Sequence, residues 1–418
     1  MNEKRVYRPT SRQLAWECLQ QWSRGKAFAE SLIDQAAKKH ALSHSDRALM
    51  QAIVYGTLRH KDWMVHICGR LRSAPLEEAL GWLIASALYQ IFIMGQAEYA
   101  VVNETVAIAP ARGRGLVNGM LRSALRQRED ILAERDTLPL PIRYSTPEWI
   151  VKRWLAEWGD ESTTALLQWN ETTPPLYARL NPINPPAAIP EGWEQVAGDG
   201  MEQWYRVQGA LPKDLLAAGQ VYIADPSTRH CVRLLQPQAG ERILDACAAP
   251  GGKSVAMIGA TMGEVELVST DSQKHRLEPL RQNLEVAGGK HIEVRAHDWT
   301  KPCPEEWLAA FDAVLIDVPC SNSGVFQRRV DARWRLTLGE MERITKLQFL
   351  IATRAAEAVK PGGRLVYSTC SIDRAENQAN VEQFLKKNPQ FELVDSYLAL
   401  PHLEQADGAY AAVLRRIN

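Results

Sequence analysis

Seven cysteines in 418 residues are too few, and too scattered, to form a disulfide scaffold. They stand at Cys18, Cys68, Cys231, Cys247, Cys303, Cys320 and Cys370, and no pair has the Cys-x-x-Cys spacing of a zinc site. No metal centre is expected, and the thiols read as reduced, as in a cytoplasmic protein. Charge of one sign is also lacking: 49 Lys and Arg balance 49 Asp and Glu, so no global field draws in nucleic acid. The longest apolar run, ALGWLIASALYQIFIM over 79–94, carries Ser86 and Gln90 and falls short of the ~20 residues a membrane span takes. A buried helix explains it better. The opening MNEKRVYRPT has no apolar core of a signal peptide, so secretion is not expected.

Two nucleotide fingerprints are missing as well. Counting back five residues from Gly252 lands on Cys247, which excludes the phosphate loop GxxxxGK[ST], and only the adjacent pair Gly251-Gly252 stands where GxGxxG would be.

What is present falls into three stretches, 1–135, 136–218 and 219–418. Residues 11–130 carry helical stripes: Leu14, Cys18, Leu19 and Trp22; Leu49, Ile53 and Leu58; Leu80, Ile84, Leu88 and Ile91. The segment GLVNGMLRSALRQRE (115–129) is expected to bury Leu116, Met120 and Leu121 and to turn Arg122, Arg126 and Arg128 outward. Those arginines, with Arg112 and Arg114, form either a solvated face or a phosphate-contacting edge. The tract 174–190 holds six prolines and is expected to be neither a long helix nor a central strand, so the middle stretch reads as a small α+β insert.

From 219 on, short apolar runs alternate with helical patterns: RILDAC (242–247), VELVST (265–270), IEVR (292–295), DAVLID (312–317), GRLVYSTC (363–370), FELVD (391–395) and YAAVLRRI (410–417). That alternation predicts an α/β, Rossmann-like, mostly parallel doubly wound sheet. Asp373 and Glu376 suggest a capping box for the helix after STCS. The first strand runs into DACAAPGGKS (245–254), and Asp271, Asp298 and Asp317 follow the next three strands. A small-residue turn with three acids on one sheet edge suits a nucleoside cofactor that has a ribose and a positive charge but no phosphate. S-adenosylmethionine meets that description.

The fourth and fifth strands of such a sheet are neighbours, roughly 4.8 Å apart. Cys320 follows one and Cys370 ends the other, so the two thiols are expected to converge. The plain alternatives are two small buried hydrophobes or a disulfide. A thiolate beside a cationic methyl donor fits methylation at C5 of cytosine: addition to C6 turns C5 into a nucleophile, and the thiol later leaves by elimination. A free thiol is mostly protonated at neutral pH, and Lys253 is the positive charge nominated to lower its pKa.

DACAAPGGKS, DVPCSNSG (317–324) and STCSIDRAEN (368–377), in this order, resemble the RNA cytosine-C5 methyltransferases over about 219–418. The resemblance implies that Cys370 attacks C6, that Cys320 helps resolve the adduct, and that Asp317 holds the cytosine edge beside the methionine moiety. It further implies that Cys247, Ala248, Ala249, Pro250, Gly251, Gly252 and Lys253 wrap the cofactor, Asp271 its ribose and Asp298 its adenine. VNETVAIA, GLVNGMLR, RYSTPEWIVKRW and LYARLN are similar to the NusB-like, antitermination-factor-like RNA-binding domain and middle region of bacterial enzymes that methylate small-subunit (16S) ribosomal RNA. Ribosomal RNA is thereby the expected partner. Transfer RNA, or a catalytically silent ribosome-assembly role, is the alternative. Two departures from the family pattern leave their contacts without an expectation: Val330 stands where a proline is usual, and IADPSTRH (223–230) replaces a Gln-Asp-x-Ser sequence. An adenine amino-methyltransferase would need Asp/Asn-Pro-Pro-Tyr after the fourth strand, and DVPC lacks the second proline and the aromatic.

Overall fold

The computed structural model describes residues 9–25, 27–197 and 202–417; the opening Met1–Arg8, read above as lacking a signal core, lies outside them. The chain forms two compact units.

The first unit comprises Met1–Thr172 and the short segment Arg329–Arg335. It is helical, running from Ser11–Ser23 through Glu78–Phe92 and Arg114–Arg126 to the long helix Glu148–Glu171, which kinks at Gly159. The predicted stripes are core: Leu14, Cys18, Leu19, Trp22, Ile53, Leu58, Leu80, Ile84, Leu88 and Ile91 are all buried, and Leu49 is half-buried. Polar caps start two helices, with Thr10 Oγ1 accepting from Gln13 N and Ser43 Oγ from Asp46 N. The segment 115–129 is not one helix. It ends at Arg126 and restarts at Arg128, whose guanidinium pairs with Glu98 and lies 5.7 Å from the centre of the Phe92 ring. Arg128 therefore leaves the outward row, while Arg122 and Arg126 stay exposed; Leu116 is half-buried and Val117 takes the core position instead.

The second unit, Thr173–Arg328 with Leu336–Asn418, holds two sheets. Strands β1 (Tyr177–Leu180), β2 (Glu194–Ala197), β3 (Trp204–Arg206) and β4 (Val221–Ile223) form an antiparallel sheet in the order β2-β3-β1-β4. The expectation that 174–190 holds no central strand is wrong. β1 sits between β3 and β4 because all six prolines flank Tyr177–Leu180 and none interrupts its ladder.

The larger sheet has β5 (Arg242–Asp245), β6 (Glu266–Asp271), β7 (His291–Ala296), β8 (Phe311–Asp317), β9 (Val359–Thr369), β10 (Phe391–Ala399) and β11 (Ala409–Arg416). Its order is β10-β11-β9-β8-β5-β6-β7; β5 to β9 pair in parallel, while β10 and β11 run antiparallel at one side. Both faces are covered. Along β8, Ala313 and Leu315 enter one apolar cluster while Val314 and Ile316 enter the other. The doubly wound expectation holds. Because β5, β6, β8 and β9 are parallel, Asp245, Asp271, Asp317 and Thr369 end on one edge of the sheet.

Candidate active site

β8 and β9 are hydrogen-bonded neighbours, with Asp317 opposite Ser368. The loop after each strand carries one cysteine, and the two sulfurs lie 2.8 Å apart. Both residues are half-buried, and neither they nor the other five cysteines are bonded in a disulfide. The Cys320 thiol is pushed well above its ordinary range, first by its hydrogen bond to Cys370, then by burial and by the Cys370 and Glu376 charges. Cys320 thus keeps its proton, and either sulfur can be the donor of the bond between them. The Cys370 thiol also reaches Asn322 Oδ1, at 3.5 Å, as a donor.

Sequence reading missed what holds the two loops together. Glu376, fully buried, accepts from Ser321 N at 2.9 Å, Ser321 Oγ, Ser371 Oγ at 2.6 Å and Gln348 Nε2 at 2.9 Å. Ser321 follows Cys320 and Ser371 follows Cys370, so one carboxylate fastens both thiol-bearing turns. Burial raises its pKa, and the serine hydrogen bonds oppose the rise. The expected capping box does not form. The helix starts at Gln378 without a side-chain cap, because the Glu376 carboxylate is turned inward to the serines. A clue was available in the two serines after the cysteines, which are donors in need of an acceptor once buried. Gly324 closes the seam: its N–H donates to Cys370 O at 3.0 Å, and its carbonyl accepts from Gly408 N at 2.8 Å.

The glycine turn lies on the same sheet edge. Ala248 and Ala249 are buried, Cys247 is half-buried and Pro250 is exposed; Gly251 has φ 110, and a Cβ there would come within 2.9 Å of Leu280 Cδ1. The helix Gly252–Ala260 begins directly after it. Lys253 Nζ donates to Asp317 Oδ2 at 2.6 Å. Burial pulls the lysine down, but Asp317, Cys231 and Asp245 outweigh it and leave the ammonium above its ordinary range. In this structure Lys253 anchors Asp317.

Asp271 is nearly buried; Gln273 N donates to its Oδ1 at 2.8 Å and Arg276 to its Oδ2 at 3.1 Å, while Arg276 also holds Ala249 O at 2.5 Å. A carboxylate has about four acceptor sites, so two remain for hydroxyls. Asp298 lies two residues past β7, exposed, with Oδ1 closing its own turn onto Thr300 N and Oγ1. Asp245, absent from the predicted set, is fully buried; Ser254 Oγ donates to its Oδ2 at 2.6 Å, and its Oδ1 has no partner. Burial raises its pKa to about 6. These groups fit a phosphate-free cationic nucleoside: the edge is rich in carboxylates, and Lys253 is already answered by Asp317. Among the described residues no cluster of His, Cys, Asp and Glu could hold a metal ion.

The two segments without an expectation are tied down as well. Asp225 and Asp407 share Arg328, through Nη2 to Asp225 at 2.8 Å and Nε to Asp407 at 2.7 Å. One residue later the chain joins the helical unit. There Val330 is fully buried among Leu14, Ile53 and Leu58, Asp331 Oδ2 accepts from Ala29 N at 2.7 Å, and Trp334 Nε1 donates to Leu58 O at 3.0 Å. Val330 is a core residue.

A doubly wound sheet with a glycine turn, a row of terminal acids and two facing thiols defines a Rossmann-like methyltransferase that uses S-adenosylmethionine. Known proteins agree with that class. Residues 232–415 match the family described as 16S rRNA methyltransferase RsmB/F, 9–126 the NusB family, and 146–184 the ferredoxin-like domain of RsmF/B-like methyltransferases. Ribosomal RNA small subunit methyltransferase B of Klebsiella pneumoniae is 32% identical over 403 residues, covering 90% of this chain and 92% of the relative. The probable enzyme of that name from Bacillus subtilis is 30% identical, covering 91% and 89%. The crystal structure of PH0851 has the same fold, with TM-score 0.76 and 22% identity over 99% of this chain and all of that one. The chain belongs to the ribosomal RNA small subunit methyltransferase B family and is an RNA methyltransferase.

Proposed function

We propose that this enzyme methylates C5 of a cytidine in 16S ribosomal RNA, free or in an early small-subunit particle, by way of a covalent bond from Cys370 to C6. The observation that carries the proposal is the 2.8 Å approach of the Cys320 and Cys370 sulfurs on neighbouring loops at the sheet edge. Cys320 keeps its proton, and the family resemblance assigns the nucleophile's role to Cys370, which gives up its own proton to solvent on attack. Its sulfur adds to C6, and the ring electrons shift to make C5 nucleophilic. Asp317, held by Lys253 through Oδ2, offers its other oxygen to the cytosine amino group. When bound, S-adenosylmethionine supplies the methyl group; residues 247–253, Asp271 and Asp298 would hold it. The C5 proton then passes to solvent water, the C6–S bond breaks with its electron pair returning to sulfur, and the protonated Cys320 thiol steadies the departing thiolate through a hydrogen bond. Residues 1–135 serve as the NusB-like RNA-binding part, with Arg122 and Arg126 toward phosphate; 136–218 serve as the connector and 219–418 as the catalytic part. Ribosomal RNA as substrate puts the proposed enzyme in the cytoplasm, and no obligatory protein partner is invoked; among the described residues no helix is long and apolar enough to cross a membrane.

Each cysteine variant, incubated with 16S RNA and S-adenosylmethionine and run on a denaturing gel, gives the test. Cys370→Ala loses methylation and forms no adduct, while Cys320→Ala accumulates an RNA–protein band. Methylation by Cys370→Ala would overturn the assignment, and an equal rate on transfer RNA would redirect the substrate.

A further inference from the structure

A cavity of about 310 Å³ lies within the second unit, between β1 and the helices Arg229–Leu235 and Gly252–Ala260. A second of about 270 Å³ shares its wall of Arg179, Leu180 and Pro182. Together they reach the size at which small-ligand sites begin. Leu180, Pro182, Val232 and Ala256 give the larger one apolar walls.

Arg179 breaks that pattern. It is only 7% exposed, sits on a central strand, and lines both cavities. Its guanidinium is 5.8 Å from the centre of the Trp204 ring but donates no hydrogen bond to any described residue. Burial draws its pKa down to about 10, with Glu202, Tyr222 and Cys231 opposing. Glu202 pairs with Arg233 at 3.2 Å and also opposes the effect of burial on Arg179, so the described wall, with two arginines and one glutamate, carries one surplus positive charge. The guanidinium, with no acceptor among the described residues, reaches the cavity, where an anion seated against it would supply one.

We propose that the cavity beside Arg179 is a binding site for a small amphipathic monoanion, a carboxylate carried on an apolar body. One surplus charge matches a monoanion, a dianion such as phosphate would also meet Glu202, and a neutral apolar molecule would leave the guanidinium unanswered. The site is separate from the thiol pair, yet it backs onto the cofactor turn. Its wall includes Ala256, Gly259 and Ala260 of the helix that starts at Gly252. Tyr222, on the wall of the smaller cavity, is close enough to Gly252 that an added Cβ would lie 3.3 Å from its Cε1.

Binding of hexanoate, hexanol and inorganic phosphate to the full chain, read by saturation-transfer NMR titration, tests the proposal. Hexanoate binds at least tenfold tighter than hexanol or phosphate, and Arg179→Met loses that preference while Arg179→Lys keeps part of it. Because a buried arginine can be needed for folding, Ala260→Phe, which fills the cavity from its exposed rim, is the second variant; it weakens hexanoate at least tenfold. Equal binding of hexanol overturns the anion assignment. Hexanoate binding unchanged in Ala260→Phe overturns the location, and no binding of hexanoate overturns the site.

Discussion

Removing the Glu376 carboxylate is the sharpest perturbation of the site that leaves both cysteines in place. In Glu376→Ala four donors lose their acceptor, but they do not lose equally. Ser371 Oγ retains Ser323 Oγ at 2.9 Å, Ser321 Oγ retains Ser371 Oγ at 3.3 Å, and Gln348 Nε2 retains Pro319 O at 3.0 Å. Ser321 N–H has no second acceptor, and an orphaned buried donor costs about 1–3 kcal/mol. Adding weakened charged hydrogen bonds and subtracting the relieved burial of the carboxylate gives a loss of about 3 kcal/mol, or roughly 6–12 °C in Tm for a unit of this size. The loss of activity is larger. Ser321 and Ser371 each adjoin a thiol, and a misplacement of about 1 Å at reacting groups costs on the order of 100-fold. The sulfurs report on it directly. Cys320 is held above its ordinary range first by its bond to Cys370, so loops that drift apart let its pKa fall, and its alkylation by iodoacetamide at pH 8 speeds up. Glu376→Gln, which keeps one acceptor oxygen, loses less stability and shows the same thiol effect. A Glu376→Ala protein with wild-type Tm, single-turnover methylation and alkylation rate would refute the fastening role.

Two further perturbations follow from the same region. Gly324→Ala places a Cβ 2.7 Å from both Cys370 O and Gly408 O, so backbone must shift beneath the nucleophile, and single-turnover methylation falls at least tenfold; an unchanged rate would show that the Cys370 turn needs no close contact there. Asp245 has a folded pKa of about 6 against about 3.9 unfolded, so its burial costs nothing below pH ~4 and destabilises the fold increasingly up to pH ~6, by about 3 kcal/mol. Asp245→Asn therefore gains stability relative to the parent between pH 4.5 and 7 in urea titrations, whereas parallel pH curves would mean that the carboxyl has the same pKa folded and unfolded.

The inner strands of the large sheet were legible because each is a short apolar run with a break on either side, which a sheet covered on both faces requires, while the edge strands β7 and β10 are mostly exposed and mix charges into their runs. The two cysteine turns and the glycine turn were legible for a related reason. In parallel β5–β9 units the strand ends share an edge, so residues that follow strands in sequence become neighbours in space. Local composition misled where tertiary pairing decides. The prolines around Tyr177–Leu180 hid a central strand, since they flank the ladder rather than enter it.

Composition, apolar periodicity and the residues closing each strand thus determined, from the sequence alone, a helical part, a doubly wound part and a thiol pair at one edge. Only the tertiary structure decided which acid fastens the thiol turns, that Lys253 answers Asp317, that Val330 is core, and that Arg179 has no acceptor among the described residues. Those outcomes rest on contacts between residues distant in the chain, such as Glu376 with Ser321 or Trp334 with Leu58. A side chain's own sequence neighbourhood carries no record of the partner that folding brings to it.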